Sequence, residues 1–307
     1  MNYGEVLKNA REAIGSKCRV CRDCNGVVCR GEVPGAGGKG TGNGFIRNRE
    51  KINEVKIHLN TIAPAKEIDT SLELFGKTLS YPVLAAPIGG LDMNYNSPMN
   101  DLTYSQAIIE GCIKAGVVGC TGDGVKDDNY EIPLSVIGEN NGIGIPTIKP
   151  WKNEEIIKKI KLAEENGAIA VAIDIDAAGL VVLGMLGKPV ATKSIEELKE
   201  IVASTNIPLI LKGIMTVEGA LKALEAGVDG IVVSNHGGRV LDHTLSTIEV
   251  LPQIAEKVGG KMKIFIDGGF RDGTDIFKAL ALGADAVLIG RTYAIAAHGG
   301  GKEGVEL

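Results

Sequence analysis

AGVDGIVV (residues 226–233) and LGADAVLI (residues 282–289) share one pattern, and this pattern decides the fold. In each, a glycine follows an amphipathic stretch and an apolar run comes after it. AGVVG (residues 115–119) and NGAIAVA (residues 166–172) show the same junction. A glycine suits the left-handed position after a helix, and a nearly continuous apolar run is typical of a parallel strand buried on both faces. The pattern predicts repeated βα units.

From Tyr81 onward the chain has eight such apolar runs, the number that a closed (β/α)8 barrel needs. They span residues 82–86, 117–121, 143–148, 169–174, 207–212, 230–234, 263–267 and 286–290. A doubly wound open sheet would also alternate strands with helices, but no glycine fingerprint of the dinucleotide type follows the first run. We therefore predict an α/β fold, with a TIM barrel over residues 81–307. A Cys- and Gly-rich N-terminal segment, residues 1–80, is predicted to pack on it.

Three stretches depart from the pattern. Residues 123–141 predict a poor helix because Pro133 lies inside them, so this connection is expected to be irregular or a partial lid. Residues 292–307 are too few for a full closing helix, which predicts either an abbreviated helix or a chain that stops early. Residues 49–59 predict a passage from helix to strand.

Composition excludes several classes of protein. The chain has 307 residues, of which 44% are hydrophobic and 23% charged, as in an ordinary globular protein. The net charge is -5 and the basic residues are scattered, so we expect no nucleic acid partner. No apolar stretch is long enough to span a membrane, and residues 1–11 are polar where a signal peptide needs an apolar middle. We expect a cytoplasmic protein with no membrane partner.

The segment SNHGGRVLD (residues 234–242) follows the sixth apolar run. Barrel enzymes build their active sites at the C-terminal ends of the strands, so His236 and Arg239 are expected to face the catalytic mouth. A histidine there can accept a proton at neutral pH, and an arginine offers a planar fork for a carboxylate. The pair suits removal of a proton from a 2-hydroxy acid. The alternative is a surface-loop histidine beside a structural arginine.

Two further segments predict a phosphate site. IDGGFRDG (residues 266–273) ends the seventh run and IGR (residues 289–291) ends the eighth. Loops after these two strands commonly bind phosphate in barrels, because glycines let backbone N–H groups approach the oxygens and arginines add charge-assisted hydrogen bonds. The alternative is that the glycines only form strand-to-helix turns. The residues predicted at this site are Gly268, Gly269, Arg271, Gly290 and Arg291.

Together LKG (residues 211–213), SNHGGRVLD, DGGFRDGTDIFKALALGADAV (residues 267–287) and IGR resemble the FMN-dependent 2-hydroxy acid oxidase and dehydrogenase family, typified by glycolate and lactate oxidases. The similarity is strong over residues 207–291 and continues in order back to about residue 51. It implies an oxidoreductase that uses FMN and acts on a small 2-hydroxy acid or a related substrate. It also implies a homo-oligomer, a tetramer or an octamer.

The resemblance implies roles for single residues. His236 would be the active-site base, Asp176 would pair with it, Arg239 would bind the substrate carboxylate, and Lys212 would stabilise the negative charge of a reduced flavin. The residues that it places against FMN are Ala86, Pro87, Thr121, Thr147, Asp174, Lys212, Ser234, Asp267, Gly268, Gly269, Arg271, Gly290 and Arg291.

The chain also departs from the family pattern. Family members that oxidise hydroxy acids usually carry a tyrosine in the N-terminal segment, another after the third strand, and a second arginine after the fourth. Here Lys149 stands at the position after the third strand, and DIDAAGLVVLGM (residues 174–185) contains no arginine. We predict that Lys149 contacts the substrate together with Arg239. The substrate therefore need not be a simple 2-hydroxy acid.

Two other functions stay open at this point. One is an FMN-dependent isomerisation without net redox change, as in the related type 2 isopentenyl diphosphate isomerases, although the SNHGG histidine counts against it. The other is a flavin-binding redox sensor or electron-transfer module. Trp151 and residues 95–99 either line a pocket mouth or pack in the ordinary way.

Four of the six cysteines form a cluster, Cys18, Cys21, Cys24 and Cys29, with the spacing C-x2-C-x2-C-x4-C. The spacing is close to that of iron-sulfur proteins but lacks the proline and the final gap of the ferredoxin pattern. Four thiolates can also bind zinc, and two of them can cycle as a redox pair with pKa values lowered by nearby arginines. An inert set is the remaining alternative.

Overall fold

The computed structural model describes residues 1–95 and 98–307, and its centre is a closed barrel of eight parallel strands. Each barrel strand pairs with its neighbours in chain order, and the last strand closes on the first through Val287 opposite Val83. A short antiparallel hairpin precedes the barrel. The hairpin strands are β1 (Leu72–Leu74) and β2 (Lys77–Leu79). The barrel strands are β3 (Val83–Ala85), β4 (Val118–Thr121), β5 (Ile145–Ile148), β6 (Val171–Asp174), β7 (Leu209–Ile214), β8 (Gly230–Val233), β9 (Lys263–Ile266) and β10 (Ala286–Ile289).

Helices follow every barrel strand, as the repeated βα pattern predicts. The helices are α1 (Tyr3–Ile14), α2 (Asn43–Glu54), α3 (Leu91–Asn94), α4 (Asp101–Lys114), α5 (Asp128–Glu139), α6 (Asn153–Glu165), α7 (Val181–Met185), α8 (Ile195–Ala203), α9 (Val217–Ala226), α10 (Thr247–Val258), α11 (Gly273–Ala281) and α12 (Arg291–Glu306). The prediction of a (β/α)8 barrel is confirmed, and each of the eight apolar runs contains most or all of one barrel strand.

The barrel has a closed end and an open end. Leu74 and Leu79 of the hairpin are buried in the same apolar cluster as the side chains that fill the barrel, among them Leu84 and Phe265. The rings of Phe75 and Phe265 lie 6.4 Å apart. The hairpin precedes β3, so it covers the end of the barrel where the strands begin. The C-terminal ends of the strands, where barrel enzymes place their sites, stay free for a ligand.

The N-terminal segment packs on the barrel through its two helices. α1 buries Val6, Ala10 and Ile14 and contacts α12. α2 contacts α10, and Arg47 of α2 forms a salt bridge of 2.5 Å with Glu249 of α10. The division into two parts at residue 80 stays a prediction. Among the described residues no helix is long and apolar enough to cross a membrane.

The prediction of an irregular connection over residues 123–141 is wrong, because α5 is continuous through Pro133. A proline inside a helix removes one hydrogen bond, here the bond to the carbonyl of Asn129. Tyr130, Leu134 and Ile137 are buried on the barrel side of α5. We attribute the survival of the helix to this burial, since it offsets the loss of one hydrogen bond.

The prediction for residues 292–307 is also wrong, because α12 runs from Arg291 to Glu306 with a kink at Gly301. α12 packs against α1, which lies far away in the sequence, and against α4. The expected passage from helix to strand over residues 49–59 is half right. α2 ends at Glu54, but residues 55–71 form neither helix nor strand.

Gly142 and Gly76 form a matched pair for testing how tightly the barrel connections pack. Both have positive φ, +72° and +78°, so alanine strains the backbone at either site by about 1 kcal/mol. A Cβ at Gly142 would also lie 1.9 Å from the carbonyl oxygen of Gly167, whereas a Cβ at Gly76 meets nothing within 4 Å. We expect Gly142→Ala to lower the free energy of unfolding, measured in urea, by about 2 kcal/mol more than Gly76→Ala. Equal losses would contradict the tight approach.

Candidate active site

An open cleft of about 1420 Å³, counted out to its solvent-filled mouth, lies at the C-terminal ends of the barrel strands. Its size suits a nucleotide-sized ligand. Most of the residues predicted from the sequence for a site lie on its walls. These are Ala86, Pro87, Thr147, Lys149, Asp174, Lys212, His236, Arg239, Asp267, Gly268, Gly269, Arg271, Gly290 and Arg291.

The Lys212 ammonium is the centre of the buried charges in this cleft. Its Nζ lies 3.1 Å from Asp174 Oδ1 and 3.6 Å from Asp267 Oδ2. Burial alone would lower the pKa of Lys212, but Asp174, Asp267 and Asp176 together raise it. Lys212 is therefore a fixed positive charge at neutral pH, and it ties together the ends of β6, β7 and β9.

Asp174, the last residue of β6, shares its two oxygens between two lysines. Lys149 Nζ donates to Oδ2 at 2.5 Å, and Lys212 Nζ donates to Oδ1 at 3.1 Å. Burial would raise the pKa of Asp174, but the charges of His236, Lys149 and Lys212 hold it well below its usual range. Lys149 is thus engaged with a carboxylate at the edge of the cleft, where it also lines the wall.

His236 and Asp176 form the pair that the resemblance implies. His236 Nδ1 lies 3.1 Å from Asp176 Oδ1 and 3.5 Å from Asp174 Oδ1. The backbone of His236 has a left-handed φ of 57°, and its N–H donates to Ser234 Oγ at 3.0 Å. Ser234 therefore fixes the turn that carries the histidine, although it does not line the cleft.

Asp176 reaches His236 because the chain leaves room for it. Asp176 lies in a 3-10 turn, Ile175–Gly179, directly after β6. A Cβ at Gly213 would lie 2.5 Å from the Asp176 Cβ, so the glycine of the LKG segment is required by this approach. Burial raises the pKa of Asp176, and Asp176 Oδ2 has no hydrogen-bond partner among the described residues.

Arg239 lines the cleft with its guanidinium held by the N-terminal segment. Its Nη1 donates to the carbonyl of Gly35 and, at 3.2 Å, to that of Gly37, while Nη2 donates to Asn94 Oδ1 at 2.8 Å. Burial and the nearby Arg291 lower the pKa of Arg239 to about 10, so it stays charged at neutral pH. Its Nε and one N–H of Nη2 donate to no described residue, which leaves two donors free.

The two predicted phosphate arginines also bind carbonyls of the N-terminal segment. Arg271 Nη2 donates to the Cys24 carbonyl at 2.6 Å. Arg291 Nε donates to the Ala36 carbonyl at 2.8 Å, and its guanidinium lies 3.6 Å from the ring centroid of Phe45. The two cations therefore face the cleft from the side where the N-terminal segment covers it.

The residues present fit an FMN molecule in two independent ways. Thr121 Oγ1, Thr147 Oγ1 and Asp267 Oδ1 are buried at strand ends without a partner in the described part of the chain, as expected where a ring with polar edges supplies the missing hydrogen bonds. Gly268 and Gly269 approach Asn48 so closely that a Cβ on either would lie within 3 Å of it. The two glycines line the same cleft as Arg271 and Arg291, and backbone N–H groups together with arginines are the donors that a phosphate needs.

The four clustered cysteines do not form a compact metal site. All four are free and partly buried. Among the described residues, one group brings three possible ligand atoms within 4.8 Å of one another. It consists of Asp174, Asp176 and His236 and contains none of the cysteines. Burial raises the pKa of Cys18, and the neighbouring thiols add to the effect. No three of the thiols are therefore close enough to bind one metal ion together, and the predicted lowering of their pKa values is not seen for Cys18, Cys21 or Cys29.

Asn94 and residues 33–36 line the cleft but were not predicted from the sequence. Asn94 binds Arg239, and Tyr95 lines the wall with its pKa raised by burial to about 12. Tyr95 belongs to the stretch expected at a pocket mouth, but Asn96 and Ser97 of that stretch lie outside the described residues. Trp151 instead is buried and donates to Asp123 Oδ2 at 2.6 Å. Residues 33–36, which cover the cleft, carry no sequence signal beyond Pro34 and Gly35.

Comparison with known proteins gives consistent matches. The family model described as FMN-dependent dehydrogenase matches residues 35–183 and 184–307. A peroxisomal (S)-2-hydroxyacid oxidase of Arabidopsis thaliana is 31% identical over 86% of this chain and 82% of its own length. An L-lactate oxidase of Lysinibacillus sphaericus is 32% identical over 89% and 78% of the two chains.

Two solved structures also match this chain closely in fold. A crystal structure of mandelate oxidase matches with a TM-score of 0.81 and 26% identity, over 99% of this chain and 89% of that one. A mandelate oxidase variant solved with a monooxide FMN adduct matches with a TM-score of 0.73 and 29% identity, over 90% and 87% of the two chains.

The Lys149–Asp174 ion pair predicts a pH-dependent loss of stability. The pKa of Asp174 is depressed in the folded state, so its contribution to stability is present above the unfolded pKa of about 3.9 and is lost as the pH falls below it. Lys149→Met removes one cause of the depression. We expect it to lower the free energy of unfolding by about 2 kcal/mol at pH 7, with a smaller deficit at pH 3.

The control is Lys152→Met, because Lys152 is exposed on the same loop and forms no salt bridge with a described residue. Its unfolding free energy should match that of the wild type at both pH values. A deficit of Lys149→Met that is equal at pH 7 and pH 3 would show that Lys149 does not act through the charge of Asp174.

Proposed function

The chain belongs to the FMN-dependent dehydrogenase family, and from that premise we propose that it oxidises a small 2-hydroxy acid or a related substrate with His236 as the base. The observation that carries the proposal is the contact of His236 with Asp176 beside the buried Lys212 charge, at the mouth of a barrel of this family. The similar 2-hydroxyacid, lactate and mandelate oxidases support the substrate class.

His236 is placed to take a proton from the substrate. Nδ1 faces Asp176, which leaves Nε2 as the atom that can receive the proton. When the imidazole becomes charged, Asp176 at 3.1 Å and Asp174 at 3.5 Å both stabilise the cation. Asp176 therefore acts as a positioning residue that holds the ring with Nε2 directed to the substrate.

FMN, when bound, accepts the two electrons that leave the substrate. The residues that would hold its ring are Ala86, Pro87, Thr121, Thr147, Asp174 and Lys212. Those that would hold its ribityl phosphate are Asp267, Gly268, Gly269, Arg271, Gly290 and Arg291. The fixed positive charge of Lys212 is arranged before the reaction and stabilises negative charge that develops next to it.

Arg239 and Lys149 are proposed to recognise the acidic end of the substrate. Both line the cleft, and both are cations. Arg239 keeps Nε free, whereas Lys149 is neutralised by Asp174 at 2.5 Å. We therefore assign the carboxylate contact mainly to Arg239, with Lys149 as a second contact. This arrangement differs from the tyrosines and second arginine of the familiar oxidases.

Two other sequence-based predictions accompany this proposal. One is a cytoplasmic location, which stays a prediction. A homotetramer or homo-octamer follows from the resemblance alone.

His236→Ala tests the base directly. We expect kcat/KM for a 2-hydroxy acid to fall by about 10³-fold while the protein still binds FMN, since general base catalysis contributes this order of rate. The measurement is steady-state turnover together with the flavin content of the same preparation.

His243→Ala is the control, because His243 is exposed and lies seven residues further along the same loop region. Its turnover should equal that of the wild type. If His236→Ala turned over the hydroxy acid as fast as the wild type, the proposed base would be refuted.

Arg239→Lys tests carboxylate recognition. A lysine cannot form the planar fork, so we expect KM for the hydroxy acid to rise by about tenfold or more, with a smaller change in kcat. Asn94→Ala removes one anchor of the Arg239 side chain but leaves its carbonyl contacts, so a smaller rise in KM is expected. An unchanged KM in Arg239→Lys, with a raised KM in Lys149→Met, would transfer the carboxylate contact to Lys149.

A further inference from the structure

Four cysteines lie in a segment that has almost no internal core. Between the 3-10 turn Gly15–Lys17 and α2, the chain forms no helix or strand and one isolated bridge, Arg30 opposite Gly38. Much of this segment is glycine, and few of its side chains are apolar. Segments of this kind usually need a cross-link such as a disulfide or a metal to hold one conformation.

The segment is anchored at several points close to its cysteines. Cys18 packs against the apolar cluster formed with α1 and α12. The Cys24 carbonyl accepts hydrogen bonds from Arg271 Nε and Nη2, at 3.1 and 2.6 Å. The Cys29 carbonyl accepts from the N–H of Glu32 at 3.3 Å. The cysteines are therefore held in place by the barrel and by local turns.

The spacing of the sulfur atoms distinguishes the possible cross-links. All four thiols are free, so no disulfide joins them. With Zn–S bonds of about 2.3 Å, four thiolates on one zinc ion lie about 4 Å apart. No three of the cysteine sulfurs come within 4.8 Å of one another. An iron-sulfur cubane binds each thiolate to a different iron, so it holds four thiolates farther apart than one ion does.

We propose that Cys18, Cys21, Cys24 and Cys29 bind a four-iron, four-sulfide cluster on the N-terminal cover of the active-site cleft. Such a cluster with four thiolates is anionic, and cations surround this position. Arg271 binds the Cys24 carbonyl, and the positive charge of Arg291 acts on the Cys29 thiol. Both arginines also line the cleft. The site is therefore next to the proposed phosphate end of the cofactor.

The position suggests a function for the cluster, which rests on the proposed function. Oxidation of a hydroxy acid delivers two electrons and a proton to the flavin, and the second proton goes to His236. A cluster accepts one electron at a time by reduction of one ferric ion to ferrous. Two successive transfers, each followed by loss of the electron to an external one-electron acceptor protein, return flavin and cluster to their oxidised forms, while the proton on the flavin and the proton on His236 are released to solvent. The cluster would thus carry electrons from the flavin to the external protein, a function that we call the electron exit.

The presence of the cluster is tested by metal analysis of the full chain, purified without oxygen and incubated with ferrous iron and sulfide. We expect about four iron and four sulfide per chain, and an electron paramagnetic resonance signal after dithionite reduction. Cys24→Ser should lose most of the iron and the signal.

Cys112→Ser is the matched control, since Cys112 is buried in α4 and is not one of the four clustered cysteines, and it should keep both. Iron no higher than in Cys24→Ser, or one zinc per chain in place of iron, would overturn the proposal. These results do not depend on turnover, so they are separate from a failure of the proposed function.

The electron exit is tested by reoxidation of dithionite-reduced, FMN-loaded protein, followed through the flavin absorption. With cytochrome c as the one-electron acceptor, Cys24→Ser should reoxidise at least about tenfold more slowly than the wild type. With oxygen as acceptor the two proteins should agree within about twofold. Equal rates with cytochrome c would refute the exit, even if the cluster is present.

Discussion

The buried ammonium of Lys212 holds the open end of the barrel together. It bridges Asp174 at 3.1 Å and Asp267 at 3.6 Å, so three strand ends depend on one charge. Two carboxylates so close to each other are stable in a buried place only when cations compensate them. Lys149 supplies the second cation, bound to Asp174 at 2.5 Å. The same four charged side chains that stabilise this end of the barrel also form the polar floor of the cleft, on which a flavin can be held.

Catalytic geometry follows from the strands that end at this floor. The chain after β6 carries Asp176 and the chain after β8 carries His236. The two meet at 3.1 Å, and Gly213 after Lys212 leaves room for Asp176. Each residue is fixed by a rigid strand end and a short turn. This is the usual way in which a barrel brings residues from distant parts of the sequence to one place. A change at Gly213 would therefore disturb catalysis without touching the substrate.

The sequence predicts the barrel and most of the cleft because both depend on local patterns. Apolar runs reveal parallel strands, and the residues that follow them must share one end of the barrel. The sequence-based predictions fail where contacts between residues far apart in the sequence determine the local structure. Pro133 remains helical because α5 is buried on the barrel, and residues 291–306 are helical beside α1. The partners of Arg239, Gly35 and Asn94, come from other parts of the chain, so no local pattern announces them.

The central claim is that this cleft carries out the oxidation of a hydroxy acid on FMN. The most direct measurement is to load the full chain with FMN, exclude oxygen, add a panel of small 2-hydroxy acids and follow the visible flavin absorption. We predict that at least one acid bleaches the flavin and yields an equal amount of the 2-keto acid. Protein that binds FMN in a one-to-one ratio, yet keeps its full flavin absorption with every acid of the panel, would contradict the account.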